Sequence, residues 1–366
     1  MLGREITAVG LRASLLASLV LEACAPDASG SIAVGQRHDA ATAELAGPNT
    51  MAPTAPTADA TAADATAADV NAEPDTPSAT AAETLAETVI TPETISGVSA
   101  VCERWNSDRA DLREGAWTGS ASSCEPGTLL EPGPANTLRQ VNLYRWLAGL
   151  PPVETAVDLN VGAQACSLAM HANQMITHDV PDSWSCHTAL GAAAAQVSNL
   201  ATTAAVYAID LYMADPGNEQ TLGHRRWILS NSLGPIGIGS TSRYSCLSVI
   251  GGKGHAGRGW TAWPPEGIVP YGALVQGGNG GQMSVDVTGW SIQSDSVGLA
   301  QRDVTVTRDG EALPITTDVL LGGYGSSNAI KIMPDGWRTE PGHTYRVELT
   351  GGGQPIAYDV VVVDCD

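Results

Sequence analysis

The chain has 366 residues, enough for two ordinary domains, with 43% hydrophobic residues, no phenylalanine and nine tryptophans, so any core is built from Val, Ile, Leu, Ala and indole rings. A formal net charge of −21 excludes nucleic acid as a partner and anionic lipid as a general one, because both are bound through Lys and Arg. Much of the imbalance is local, since no Lys or Arg lies between Arg37 and Arg104.

Residues 1–24 read as an export signal. Arg4 and Arg12 precede the apolar run ASLLASLVL, which is too short to span a bilayer as a permanent helix. The run ends in LEAC, which resembles a bacterial lipobox with Cys24 as the lipidated residue, although Glu22 stands where a small residue is usual. An ordinary secretory signal cut nearby is the alternative. In either case the protein is exported, as a cell-envelope lipoprotein or an extracellular protein, and meets membrane only through its N-terminal anchor. Residues 25–98 hold few large apolar groups and repeat a short Ala/Thr/Asp unit (ADATAADATAADV), which predicts a disordered acidic tether.

Folded sequence is expected from residue 99, opening with a polar, cysteine-stapled lead-in. Seven cysteines occur; setting Cys24 aside leaves six, an even number that predicts three disulfides in an exported protein. Fifteen pairings are open, and sequence proximity favours Cys102–Cys124, Cys166–Cys186 and Cys246–Cys365. One helix runs through NTLRQVNLYRWLAGLPPV, with Leu138, Val141, Arg145 and Ala148 on one face and Gly149 with two prolines as its stop. A second is expected from Asp158 as N-cap to about Ile176, striped by Leu159, Ala163, Cys166 and Met170. TAAVYAIDLYMAD supplies a third, ending at DPGN. The short apolar segments WIL, IGIG and SCLSVIGG are sized as strands.

Residues 251–281 are rich in Gly and Pro and read as a linker. Beyond them, period-two alternation at Met283, Val285 and Val287, at Val304 and Val306, at Tyr345, Val347 and Leu349, and at Tyr358, Val360 and Val362 predicts a small antiparallel β-sandwich over 282–366, immunoglobulin-like, with RDGE as a hairpin turn. It carries no clustered titratable groups and reads as an accessory or binding module.

The stretch from QVNLYRWLAGLPPV to SCLSVI resembles a CAP domain, the superfamily of cysteine-rich secretory, antigen 5 and pathogenesis-related proteins, in a bacterial branch. The resemblance rests on Asn142 and Arg145 in an N-x-x-R helix, GLPPV, a histidine in MITHDVPDSWSC, VSNLA where the family has G-E-N-L, and GHRRWIL. It covers residues 137–250 within a domain of 99–250. It implies an α+β fold, a CAP-type α-β-α sandwich with a small antiparallel sheet. It also implies a central cleft lined by two histidines and two acids. His178 and His224 match the histidines, and Asp215 matches one acid through AIDLYMAD. The second acid has no counterpart, because Ser198 stands before Asn199.

Two imidazoles and a carboxylate offer a ligand set for Zn²⁺ with an open position, or a proton shuttle, but loss of the second acid weakens a catalytic role. The alternative for His224 is a histidine that only bonds a backbone carbonyl. His171 is read as a surface or cleft-edge residue, Arg225 and Arg226 as solvated or paired with the acidic surface, and Asn142 and Arg145 as structural hydrogen-bonders. Two functions follow from the resemblance: a surface protein that binds a small ligand (lipid or sterol among them) or a cell-surface partner without turnover, or a divalent-metal hydrolase acting on peptide or cell-wall material through His178, His224 and Asp215.

Overall fold

The computed structural model describes residues 92–252, 254–276 and 283–365. The signal peptide, Cys24 and the tether up to residue 91 lie outside the described residues. Helix α1, Pro92–Arg109, takes over the last residues assigned to the tether, and its proline sits in the first turn, where a missing N–H costs nothing. α1 docks through Trp105, whose ring meets Tyr144 edge-on at 6.2 Å, and through Arg109, which forks onto Asp210 at 2.9 and 2.7 Å.

Helix α2, Gly133–Leu147, ends as expected at the Gly149 turn. Asn142 closes the GLPPV loop by bonding Val153 with both its amide nitrogen and its oxygen, and Arg145 donates to Pro151, Ile228 and Ser230 carbonyls. Helix α3, Val157–Asn173, is capped at Ala156, so Asp158 lies in the first turn rather than at the cap. Helix α4, Ala189–Gln196, which sequence pattern did not single out, is capped by the Thr188 hydroxyl. Strand β1, Ser198–Ala201, and helix α5, Ala205–Ala214, follow. The α5 amides of Val206 and Tyr207 are capped from a distance by Glu114, at 2.8 Å each.

The segment expected as strand WIL belongs instead to helix α6, Gly223–Ile228, and the turn after it. Three apolar residues carry no period of their own; here Leu222 in the left-handed region starts a helical turn that receives Arg226 N–H at 3.0 Å. Strands β2, Gly237–Ser240, and β3, Ser245–Ser248, complete an antiparallel sheet of order β1-β3-β2. Helix α3 lies directly on β2, because a Cβ at Gly239 would come within 2.0 Å of the Ala163 backbone.

The remaining chain is β-rich. Its elements are β4 (Thr261–Trp263), β5 (Gly267–Pro270), α7 (Tyr271–Leu274), β6 (Val275–Gln276), β7 (Met283–Ser284), α8 (Val285–Thr288), β8 (Trp290–Ser294), β9 (Asp303–Arg308), β10 (Glu311–Leu313), β11 (Ile315–Val319), β12 (Asn328–Pro334), β13 (Thr344–Thr350) and β14 (Ile356–Val363). They form sheets of order β10-β9-β13-β14-β5 and β11-β12-β8-β4, plus the β6-β7 pair.

Two expectations are corrected here. The linker 251–281 contributes β4 and β5 to the two larger sheets, and β5 joins β14 in parallel, so this region is not purely antiparallel. The alternation at Met283–Val287 turns after two residues into the short helix α8. RDGE is the expected hairpin: Arg308 faces Glu311, and Asp309 and Gly310 both have positive φ (51° and 91°), as a type I′ turn requires.

One apolar cluster runs from α2 and α5 (Val141, Tyr144, Ile209, Tyr212) into the β-rich sheets (Trp263, Trp290, Val347, Val360). Tyr144 meets Trp263 edge-on at 5.4 Å across that junction. A second, smaller cluster joins α3, α4 and β3 around Cys166 and Cys246.

The three disulfides pair Cys102 with Cys365, Cys124 with Cys186 and Cys166 with Cys246, so none of the pairings favoured by proximity forms. Short loops are entropically easy to close, but α3 faces its cysteine toward β3 rather than toward the loop beyond its own end. Cross-linking residues 263 apart ties α1 to the end of β14 and removes about 5 kcal/mol of chain entropy from the unfolded state.

Candidate functional site

Helix α5 ends at Asp215, which adopts the left-handed conformation (φ 56°) that aspartate tolerates, and this swings its carboxylate under the start of α6. The carboxylate is fully buried. Oδ1 accepts hydrogen bonds from Asn218 Nδ2 and His224 Nδ1, each at 2.9 Å, and Oδ2 accepts from the Arg225 amide at 3.2 Å. Asn218 Nδ2 and His224 Nδ1 stand 3.1 Å apart, but both carry a proton for Asp215, so they converge on the oxygen rather than on each other.

With Nδ1–H committed to Asp215, the ring turns its Nε2 away from the pair, and among the described residues Nε2 makes no hydrogen bond. The side chain is 25% exposed. Its ring lies 4.9 Å from that of Tyr212, whose burial pushes the phenol well above its usual range and keeps it protonated.

Ser198 and Asn199 lie on β1 beneath this pair. The Ser198 hydroxyl, buried, bonds the Ala194 carbonyl at 2.7 Å and Ser248 Oγ at 2.9 Å, and so has a scaffold role. Asn199 Nδ2 donates to the His224 carbonyl at 3.0 Å. His178, in the loop after α3, sets its Nδ1 on the Ala195 carbonyl of α4 at 2.8 Å and is exposed. No hydrogen bond, ion pair or ring contact joins His178 to His224 or Asp215.

Zinc does not fit this donor set. Among the described residues no three His, Cys, Asp or Glu side chains form a group able to hold a metal ion, Asp215 spends both oxygens on N–H donors, and the second acid is a buried serine.

Arg225 and Arg226 overturn the expectation of solvated charges. Arg225 is completely buried and donates to the carbonyls of Met213, Ala214 and Gly289 and to the Thr288 hydroxyl. Arg226, 1% exposed, reaches the carbonyls of Thr221, Leu321 and Ser326. Desolvation lowers both guanidinium pKa values to about 10, so both stay charged at pH 7. Buried cation and buried Asp215 carboxylate offset one another, and the Arg225 side chain carries that balance into α8 and β8.

His171 is also less free than expected, tilted between Trp117 and Tyr244 at 5.3 and 5.7 Å, with its Nδ1 buried. Burial, and to a lesser degree Arg243, lowers its pKa.

The helix that carries His224 has a neighbour that no sequence pattern announced. Tyr324, in the turn between β11 and β12, lies against Gly223, where a Cβ would come within 2.8 Å of the ring, and 6.0 Å from the Arg226 guanidinium. Leu321 is pinned beside it by its amide on Gln220 and its carbonyl on Arg226. Both side chains are exposed, 38% for Tyr324 and 57% for Leu321. Asn218 was legible in principle, since an amide within DPGN, three residues after the acid and six before the histidine, suits a bridge between them. Tyr324, a hundred residues further on, carried no such signal.

The fold and the pair of buried Asp215 with part-exposed His224 define an α+β module with a polar site at the end of α5. Residues 138–249 match the model of the cysteine-rich secretory protein family, CAP, and this part of the chain is a CAP domain followed by a β-rich region. No curated protein and no solved structure matches the chain. Three disulfides suit an oxidising, extracellular setting, and among the described residues no helix is long and apolar enough to cross a membrane.

Proposed function

We propose that this is an exported protein, held at the cell envelope through Cys24, whose CAP domain binds a small amphipathic ligand at His224 without turning it over. The observation that carries the reading is the Nδ1–H of His224 committed to buried Asp215, which leaves Nε2 as one fixed hydrogen-bond acceptor at the surface. Tyr324 and Leu321 supply exposed apolar area against α6, the helix that carries His224. A long apolar body with a single hydroxyl donor, as in a sterol or a lipid alcohol, matches one acceptor next to an apolar wall. A hydrolase needs an activated nucleophile or a metal-bound water, and the donor set described above supports neither.

Dehydroergosterol and hexadecanol are the probes. Saturable binding by the full chain is expected, weakened about tenfold or more in His224→Ala and in Tyr324→Ala. Binding unchanged in both variants sinks this reading, and hydrolysis of casein or peptidoglycan lost in His224→Ala would replace it with the enzyme. Mass spectrometry of the mature N-terminus tests the anchor separately: a diacylated Cys24 is expected, and an unmodified terminus removes it.

A further inference from the structure

Away from His224, two open clefts of about 470 and 410 Å³ lie side by side where the CAP domain meets the β-rich region, and Arg258 and Glu266 line both. Each volume is within the range of small-ligand sites. Trp260 lines the first and Trp146 the second. Both indoles are braced by a neighbour: the Arg104 guanidinium sits 5.1 Å from the Trp146 ring, and Tyr358 lies 5.1 Å from Trp260. Trp146 remains 38% exposed, although Val141, Leu143, Tyr144 and Leu147 of the same helix are buried.

The charged pair between the indoles is not explained by folding. Arg258 and Glu266 stand 3.6 Å apart with side chains 36% and 54% exposed, a geometry that contributes almost nothing to stability. The guanidinium is nonetheless placed firmly, its backbone amide on Asn231 and its head packed over Gly149, where a Cβ would stand 3.5 Å from it. Guanidinium donors and a carboxylate acceptor with no net charge, set between two aromatic plates, form a polar centre with apolar floors on either side.

We propose that this double cleft is a binding site for a neutral oligosaccharide, independent of the His224 site. Sugar rings offer C–H faces that pack on the electron-rich faces of indoles, while their hydroxyls both donate and accept. Glu266 takes hydroxyl protons and Arg258 gives charge-assisted bonds to hydroxyl oxygens, without the desolvated ion that a charged ligand would bring. The molecule's net charge of −21 disfavours acidic polysaccharides. Two clefts that share Arg258 and Glu266 match successive rings of one chain, with that pair at the linkage between them.

The test uses the full chain with cellohexaose and chitohexaose as probes, hexagalacturonate as the acidic comparison and hexa-alanine as the peptide comparison. Nuclear magnetic resonance resolves the nine indole N–H signals and reads binding and location together. One of the neutral probes is expected to bind saturably and to shift the Trp146 and Trp260 signals. Trp146→Ala and Arg258→Ala are expected to weaken that binding about tenfold or more, while Tyr207→Ala, an exposed aromatic elsewhere, leaves it unchanged. Trp146 and Arg258 are both partly exposed, so these variants fold, and the wild-type signals locate the site without any variant. The proposal fails if neither neutral probe binds, if the shifts fall on other indoles, or if hexagalacturonate or hexa-alanine binds as well as the sugars do.

Discussion

Strands β13 and β14 bury Tyr345, Val347 and Leu349 against Val360, Tyr358 and Ile356, pair by pair, and leave the alternate residues toward solvent. The segment Gly223–Leu229 buries two arginines instead, and both end on carbonyls of the β-rich region. The first stretch is held by an apolar face that any two strands could share. The second is held by polar bonds whose partners lie about sixty to a hundred residues away in the chain. The difference shows that the CAP domain of this protein is not self-contained: two of its buried cations, Arg225 and Arg226, are satisfied in part by the region that follows it.

The sharpest way to break that comparison is to separate the two regions. Residues 92–252 expressed alone are expected to show no cooperative unfolding, because Tyr144 loses Trp263 and the two buried arginines lose their acceptors on Gly289, Thr288, Leu321 and Ser326; a sigmoidal denaturant transition with native-like helical signal would show that the CAP domain stands by itself. Within the full chain, Arg225→Met removes the donor to five acceptors and the cation beside Asp215, and is expected to cost about 4 kcal/mol in urea unfolding. A cost below about 1 kcal/mol would mean that the buried cation balances nothing. Replacing Cys166 and Cys246 together by alanine is expected to cost about 3 kcal/mol, with the other two disulfides intact by mass spectrometry.

Two smaller effects sharpen the picture at single groups. Asp215→Asn is expected to cost about 2 kcal/mol and to move the His224 imidazole proton off Nδ1 in part of the population, read from its ring-nitrogen shifts. An unchanged tautomer would remove the aspartate as the group that holds the ring. The pH dependence of His171 has a definite sign. Burial holds its folded pKa below the ordinary imidazole value of 6.5, so the unfolded chain takes up a proton first as pH falls, and stability declines from about that pH down to the folded pKa. His171→Gln is expected to flatten the fall in Tm between neutral and mildly acidic pH, and an identical slope in the variant would show that the ring is not desolvated.

Much of the architecture was legible because its causes are local. The α2 stop at Gly149, the Asp309–Gly310 turn and the alternation of β13 and β14 follow from backbone preferences and periods that a short window contains. The CAP signature likewise brought His224 and Asp215 forward as partners, and the two are hydrogen-bonded. His178 was named for the same cleft, and its own anchor is the Ala195 carbonyl.

What the chain's order of residues determined by itself was therefore the set of elements, the exported character suggested by six pairable cysteines, and one histidine–aspartate pair. Only the tertiary structure decided which cysteines meet, that Arg225 and Arg226 point inward, that residues 261–263 and 267–270 are strands, and that Tyr324 packs on α6 at Gly223. These are contacts between residues far apart in sequence. Their free energy comes from desolvation and from the completion of distant hydrogen bonds, and neither is carried by the period or propensity of a local stretch.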